Sequence, residues 1–138
     1  MLFRSLGVYL GALAEAGVDL FDASTRRFSD PAFPELGGDD GEVTLAGWAR
    51  RLTGKASGAV GGVGIGTSLR EQKAGAEVRA SDNVDSVVEL MERGEFDLIS
   101  VGRLHLADPA IARVLRTASP LPEFVREEHE APLRTPLT

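Results

Sequence analysis

This 138-residue sequence predicts an α/β fold of parallel strands linked by helical crossovers. Three observations carry that prediction. Short, largely apolar segments recur at residues 18–23, 56–65 and 96–101. Before each lies a stretch with apolar residues at spacings of three and four, the period of a helix face. A glycine (Gly17, Gly54 or Gly94) follows each helical stretch, where helices commonly stop. Strands joined through helices run parallel, because a tight turn can connect only antiparallel neighbours.

The first helix spans residues 2–16, with Leu2, Leu6, Tyr9, Leu10 and Leu13 on one face. This stretch faintly imitates a signal peptide. Ser5 and Gly7 interrupt its apolar run, and Glu15 and Asp19 follow directly, so it reads as a helix of the mature fold. The strand at 18–23 leads into a long loop, 24–42, holding Pro31, Pro34 and the run from Gly37 to Gly41. Loops of that length within a domain are uncommon and usually functional. Residues 43–52 form a second helix, with Leu45, Trp48, Ala49 and Leu52 on its apolar face.

The small apolar run 56–65 reads as a strand, and 66–81 as a second long polar loop. Asp82 or Asn83 caps a helix carrying Val84, Val87, Val88 and Met91. After the strand at 96–101, Asp108 followed by Pro109 marks another start, N-cap then first helical residue, with Ile111, Val114 and Leu115 on the buried face. Four prolines after Ser119 predict little regular structure there. The expected organisation is βα units over residues 1–124 and an irregular tail over 125–138.

Charge and composition exclude several functions. Fifteen Lys and Arg against 21 Asp and Glu give a net charge of -6. Nucleic-acid binders usually carry the opposite surplus, since phosphate neutralisation supplies most of their affinity. An anionic membrane surface is disfavoured for the same reason, and no run of 18 apolar residues could span a bilayer. With no cysteine there is no disulfide framework or thiol nucleophile, which fits a cytoplasmic setting. Two histidines 24 positions apart, His105 and His129, form no metal motif.

Phosphate chemistry is one reading of the motifs; the other is glycines that serve tight packing and a strand-end arginine that is a solvated or salt-bridged surface group. The run Gly61-Gly62-Val63-Gly64-Ile65-Gly66 fits G-x-G-x-x-G in no register, so a dinucleotide fingerprint is not supported. Glycines at a strand end serve tight turning, and they also let backbone N–H groups approach a phosphate. The next strand ends in Val101-Gly102-Arg103, where Arg103 offers a planar fork for phosphate oxygens. Two successive parallel strands thus end in glycine and in glycine-arginine on one edge. Three βα units are also far fewer than the eight of a complete barrel, which takes about 250 residues.

Four segments then carry a family resemblance: 17–28 (GVDLFDASTRRF), 45–55 (LAGWARRLTGK), Val63-Gly64-Ile65, and 86–109 (SVVELMERGEFDLISVGRLHLADP). Together they resemble the C-terminal part of the Old Yellow Enzyme family, the FMN-dependent NAD(P)H:flavin oxidoreductases and ene-reductases built on a TIM barrel. The resemblance runs from about residue 10 to residue 124. It implies a partial TIM barrel, three parallel strands matching strands six to eight. It further implies that Gly64 and the Ile65 backbone, with Gly102 and Arg103, contact the FMN phosphate. The loop of Arg26, Arg27 and Phe28 would border the substrate side of the flavin.

The family's remaining machinery is not in these segments. Groups around the flavin ring, the pair holding the substrate carbonyl and the tyrosine proton donor belong to its first five strands. Tyr9, before the first strand here, is not that donor, and no catalytic residue is assigned. The resemblance implies FMN as cofactor, NAD(P)H as electron donor and an electron-poor alkene as substrate of a complete barrel. A homo-oligomer or a completing chain would supply the missing wall. Two other readings stay open: a non-catalytic βα domain binding a phosphorylated ligand or partner chain, and an inactive truncated product.

Overall fold

A computed structural model describes residues 2–67, 69–76 and 81–134. Helix α1 (Leu2–Glu15) leads through Gly17 into strand β1 (Leu20–Ser24). The loop that follows contains a 3-10 turn (Pro34–Leu36) and a single turn α2 (Gly38–Gly41), then comes α3 (Leu45–Thr53). Strand β2 (Ala56–Val60), the short α4 (Leu69–Lys73), α5 (Val84–Glu92) and strand β3 (Leu98–Ser100) continue the alternation. Two short helices, α6 (Leu104–Ala107) and α7 (Ile111–Arg116), precede α8 (Arg126–His129) and a final 3-10 turn (Ala131–Arg134).

The three strands form one parallel sheet in the order β1-β2-β3, with Asp22 beside Gly58 and Gly58 beside Leu98. Strand residues alternate between two faces. Phe21, Ala23 and Ala59 point to one face and are buried with side chains of the helices. Leu10 of α1 and Ala49 of α3 pack on Phe21, while Ala46 of α3 and Val87 and Leu90 of α5 share a cluster with Ala23, Ala59 and Phe96. Leu20, Asp22 and Leu98 point to the other face and are exposed, Leu98 at 53%. The fold is therefore a parallel βα layer with helices on one face of its sheet.

A buried carboxylate joins the two central units. Thr44, the N-cap of α3, accepts the Gly47 N–H at 3.0 Å through its hydroxyl. Its own N–H and hydroxyl both donate to the Glu95 carboxylate at 2.9 Å. Glu95 is 2% exposed, and its charge sits where the N-terminal dipole of α3 favours an anion. Asp97 ties the same helix to β2, accepting from Arg50 and from the Ser57 N–H.

Several boundaries differ from the sequence pattern. Strand β2 ends at Val60, because Gly61, Gly62 and Gly64 all take positive φ and turn the chain. Helix α7 begins at Ile111: Asp108 accepts the Ala110 N–H at 2.7 Å in a local turn, and Asp108-Pro109 precedes the helix instead of starting it. On α5 the buried pair is Val87 and Leu90, with Val88 and Met91 exposed. On α1, Tyr9 is exposed and Leu10 is buried. The tail is not irregular throughout, since α8 and the 3-10 turn lie within it and Phe124 just before them is buried against Ile65, Leu104 and Ile111. Among the described residues, no helix is long and apolar enough to cross a membrane.

Candidate functional site

The last residue of each strand, Ser24, Val60 and Ser100, lines a single cavity of about 720 Å³ at the C-terminal edge of the sheet. That volume lies within the ordinary range for small-molecule sites. Parallel sheets bind ligands at this edge because every βα connection leaves from it.

The loop after β1 forms one wall. Its backbone lies over the end of β2: Thr25 N–H donates to the Val60 carbonyl at 3.1 Å, and Phe28 N–H to the Gly61 carbonyl at 2.9 Å. This approach requires glycine at 61, where φ is +142° and a Cβ would stand 2.5 Å from the Thr25 carbonyl oxygen. Arg26 is thereby placed on the cavity. Arg27 lies in an adjoining depression with Arg26 and Arg70, 3.6 Å from the Glu71 carboxylate. Phe28 turns away into the core, 3% exposed and edge-on to Phe96, and is not among the residues that line the cavity.

The turn after β2 forms the second wall. It reverses through Gly62 and closes where Ile65 N–H donates to the Gly62 carbonyl at 3.1 Å. Asn83, the N-cap of α5, makes no capping bond to its own helix. Its side chain holds this turn instead. Oδ1 accepts the Gly64 N–H at 2.8 Å, and Nδ2 donates to the Gly62 carbonyl at 2.9 Å. Gly64 lies against buried Leu104, whose Cδ1 a Cβ at 64 would strike. Gly62, Val63 and Ile65 line the cavity, while Gly64 is held behind it. The amides of Gly64 and Ile65 are thus engaged inside the turn.

The third wall follows β3, with exposed Gly102 and Arg103 on the cavity. Arg103 Nη1 is buried and has no hydrogen-bond partner among the described residues. Buried polar groups are nearly always satisfied, and leaving one on a cation is costly. Burial pushes the Arg103 guanidinium below its ordinary pKa, the charge of Glu130 pulls it up, and Arg126 pushes it down. An arginine stays charged under such a shift. It is a half-buried cation with its compensation incomplete.

Sequence reasoning passed over two further cations here. Arg70 and Lys73 line the cavity from α4, three residues apart and hence on one side of that turn. Their segment read as a polar loop, and their helical spacing was the only signal. Among the described residues, with Arg26 and Arg103 they set four cations against one carboxylate, Glu130, in a chain whose overall charge is -6. Val60, Val63, Ile65, Leu106 and Leu133 supply apolar surface between them. The arrangement suits a ligand with an anionic end and an apolar body.

No family model and no curated protein matches this chain.

Proposed function

We propose that this cavity binds the phosphate of a phosphorylated small molecule, and that the ligand is FMN. The carrying observation is Arg103: a guanidinium nitrogen buried without a partner among the described residues, on a cavity that three more cations line. A phosphate monoester brings close to two negative charges and three acceptor oxygens, the complement such a group lacks. The residues present fit the phosphate end of FMN. Arg103 would hold it with Arg26, Arg70 and Lys73, and the apolar lining would meet the remainder of the molecule.

This reading takes the three-stranded layer as the part of a flavin-oxidoreductase barrel that anchors the cofactor. When bound, FMN supplies hydride transfer between NAD(P)H and an electron-poor alkene. The chain's own residues neutralise the phosphate and fix its position. The exposed sheet face, with Leu20 and Leu98 on it, supports a second copy or a completing chain that would bring the remaining wall.

Titration with FMN and with riboflavin, followed by flavin fluorescence, tests the proposal. The two differ only in the phosphate. Saturable binding of FMN and none of riboflavin is expected. Equal binding of both, or of neither, would contradict it. Binding of inorganic phosphate or a sugar phosphate without FMN would favour the second reading, a non-catalytic βα domain for another phosphorylated ligand.

A further inference from the structure

The C-terminal segment places a carboxylate in the same cavity as the cations. Glu130 and Arg103 both line it, and Leu133 of the following turn lines it too. Glu130 is well covered, its side chain 17% exposed, and Arg126 one turn earlier holds it at 3.1 Å. Its charge acts on the Arg103 guanidinium. The segment is anchored on the N-terminal side of α8. Phe124 is buried in the cluster of Ile65, Leu104 and Ile111 and stacks on His129 at 5.5 Å. The Val125 N–H donates to His129 Nδ1 at 2.9 Å, closing the turn that presents Glu130.

We infer that residues 124–134 form a strap whose Glu130 carboxylate competes with an incoming phosphate for Arg103. Like charges at short range in a partly dry site repel strongly, so the Glu130 carboxylate opposes a phosphate that comes onto the guanidinium. Binding then favours withdrawal of Glu130, and the strap sets both the affinity and the release rate of the anion. The short contact segment from α8 to the last 3-10 turn suits such movement, since few buried groups hold it beyond Phe124. This inference rests on the reading of the cavity as an anion site.

The test uses the full chain with two independent readouts. The first is the rate at which phenylglyoxal modifies Arg103, mapped by peptide mass spectrometry, which needs no ligand. The second is affinity for inorganic phosphate and FMN. Glu130→Gln should speed Arg103 modification several-fold and tighten anion binding about five- to tenfold, by removing one facing charge. Glu127→Gln, an exposed acid on the same turn, should change neither. Should Glu130→Gln fold poorly, Glu130→Asp, which withdraws the carboxylate by one methylene, should show a smaller change in the same direction. Unchanged modification, weaker anion binding, or an equal effect from Glu127→Gln would overturn the strap. Faster modification with no anion binding in any variant would retain the strap and remove the proposed function.

Discussion

Gly61→Ala measures how tightly the first wall of the site is built. Glycine at 61 meets two separate demands, and their costs can be separated. The first is conformational. A φ of +142° is one that side chains rarely adopt, and the penalty is about 1–3 kcal/mol. The second is steric. A Cβ at 61 would lie 2.5 Å from the Thr25 carbonyl oxygen and 3.1 Å from the Arg26 carbonyl carbon and oxygen. These are backbone atoms, held by the Thr25 and Phe28 hydrogen bonds to residues 60 and 61, so no side-chain rotation relieves the contact. Overpacking of that kind costs about 1–3 kcal/mol more. The expected loss is therefore about 2–6 kcal/mol, a large part of the 5–15 typical of a domain.

Gly17→Ala is the control. Gly17 also has positive φ, +102°, but nothing lies within 4 Å of its would-be Cβ, so only the conformational cost applies. Urea denaturation followed by fluorescence of Trp48, the only tryptophan, gives both values. The difference between the two variants isolates the contact of the β1 loop with β2. A Gly61→Ala loss no greater than that of Gly17→Ala would refute the close approach that places Arg26 on the cavity.

Three further outcomes are expected. Asn83→Ala removes two hydrogen bonds from the 62–65 turn and leaves the Gly64 N–H unsatisfied; a stability loss of about 1–3 kcal/mol and weaker FMN binding should follow, the first read by denaturation and the second by fluorescence titration. Sedimentation at tens of micromolar should show self-association or co-purification with a completing chain. Leu20 and Leu98 stand about half exposed on the uncovered sheet face, and a compact, cooperative monomer would contradict this expectation. Phosphate affinity should rise between about pH 5 and pH 7, because the arginines stay charged across that range while the monoester gains its second charge near pH 6; calorimetry showing the opposite trend would count against cation-led binding.

The alternation of helix and strand was legible because glycine ends each helix ahead of its strand, and Gly17, Gly54 and Gly94 all have positive φ. The end of β2 was not. A run of small apolar residues looks the same whether extended or turning, and only tertiary contact with the β1 loop makes Gly61 a turn residue. Arg103 could be picked out from its strand-end position. Arg70 and Lys73 could not be, since their convergence with Arg103 depends on where the loop after β2 folds back. Asn83 read as a helix cap, and a local rule does not foresee that its side chain serves a turn nineteen residues away. Phe28 sits among polar neighbours in sequence, and its burial against Phe96 follows from the path of the loop. Glu95 offered no sequence signal either; its burial is explained by the N-terminus of α3 that it satisfies.

The central claim is that Arg103 anchors a phosphate at the edge of the sheet. Comparing FMN binding by the intact chain and by Arg103→Ala, with thermal unfolding of each recorded alongside, tests it most directly. Removing one hydrogen-bonding partner of a charged group costs about 1.5–3 kcal/mol, so FMN affinity should fall about ten- to a hundredfold. The fold should persist, since Arg103 Nη1 has no hydrogen-bond partner among the described residues to lose. An FMN affinity unchanged by the substitution, or no saturable binding by the intact chain, would contradict the account.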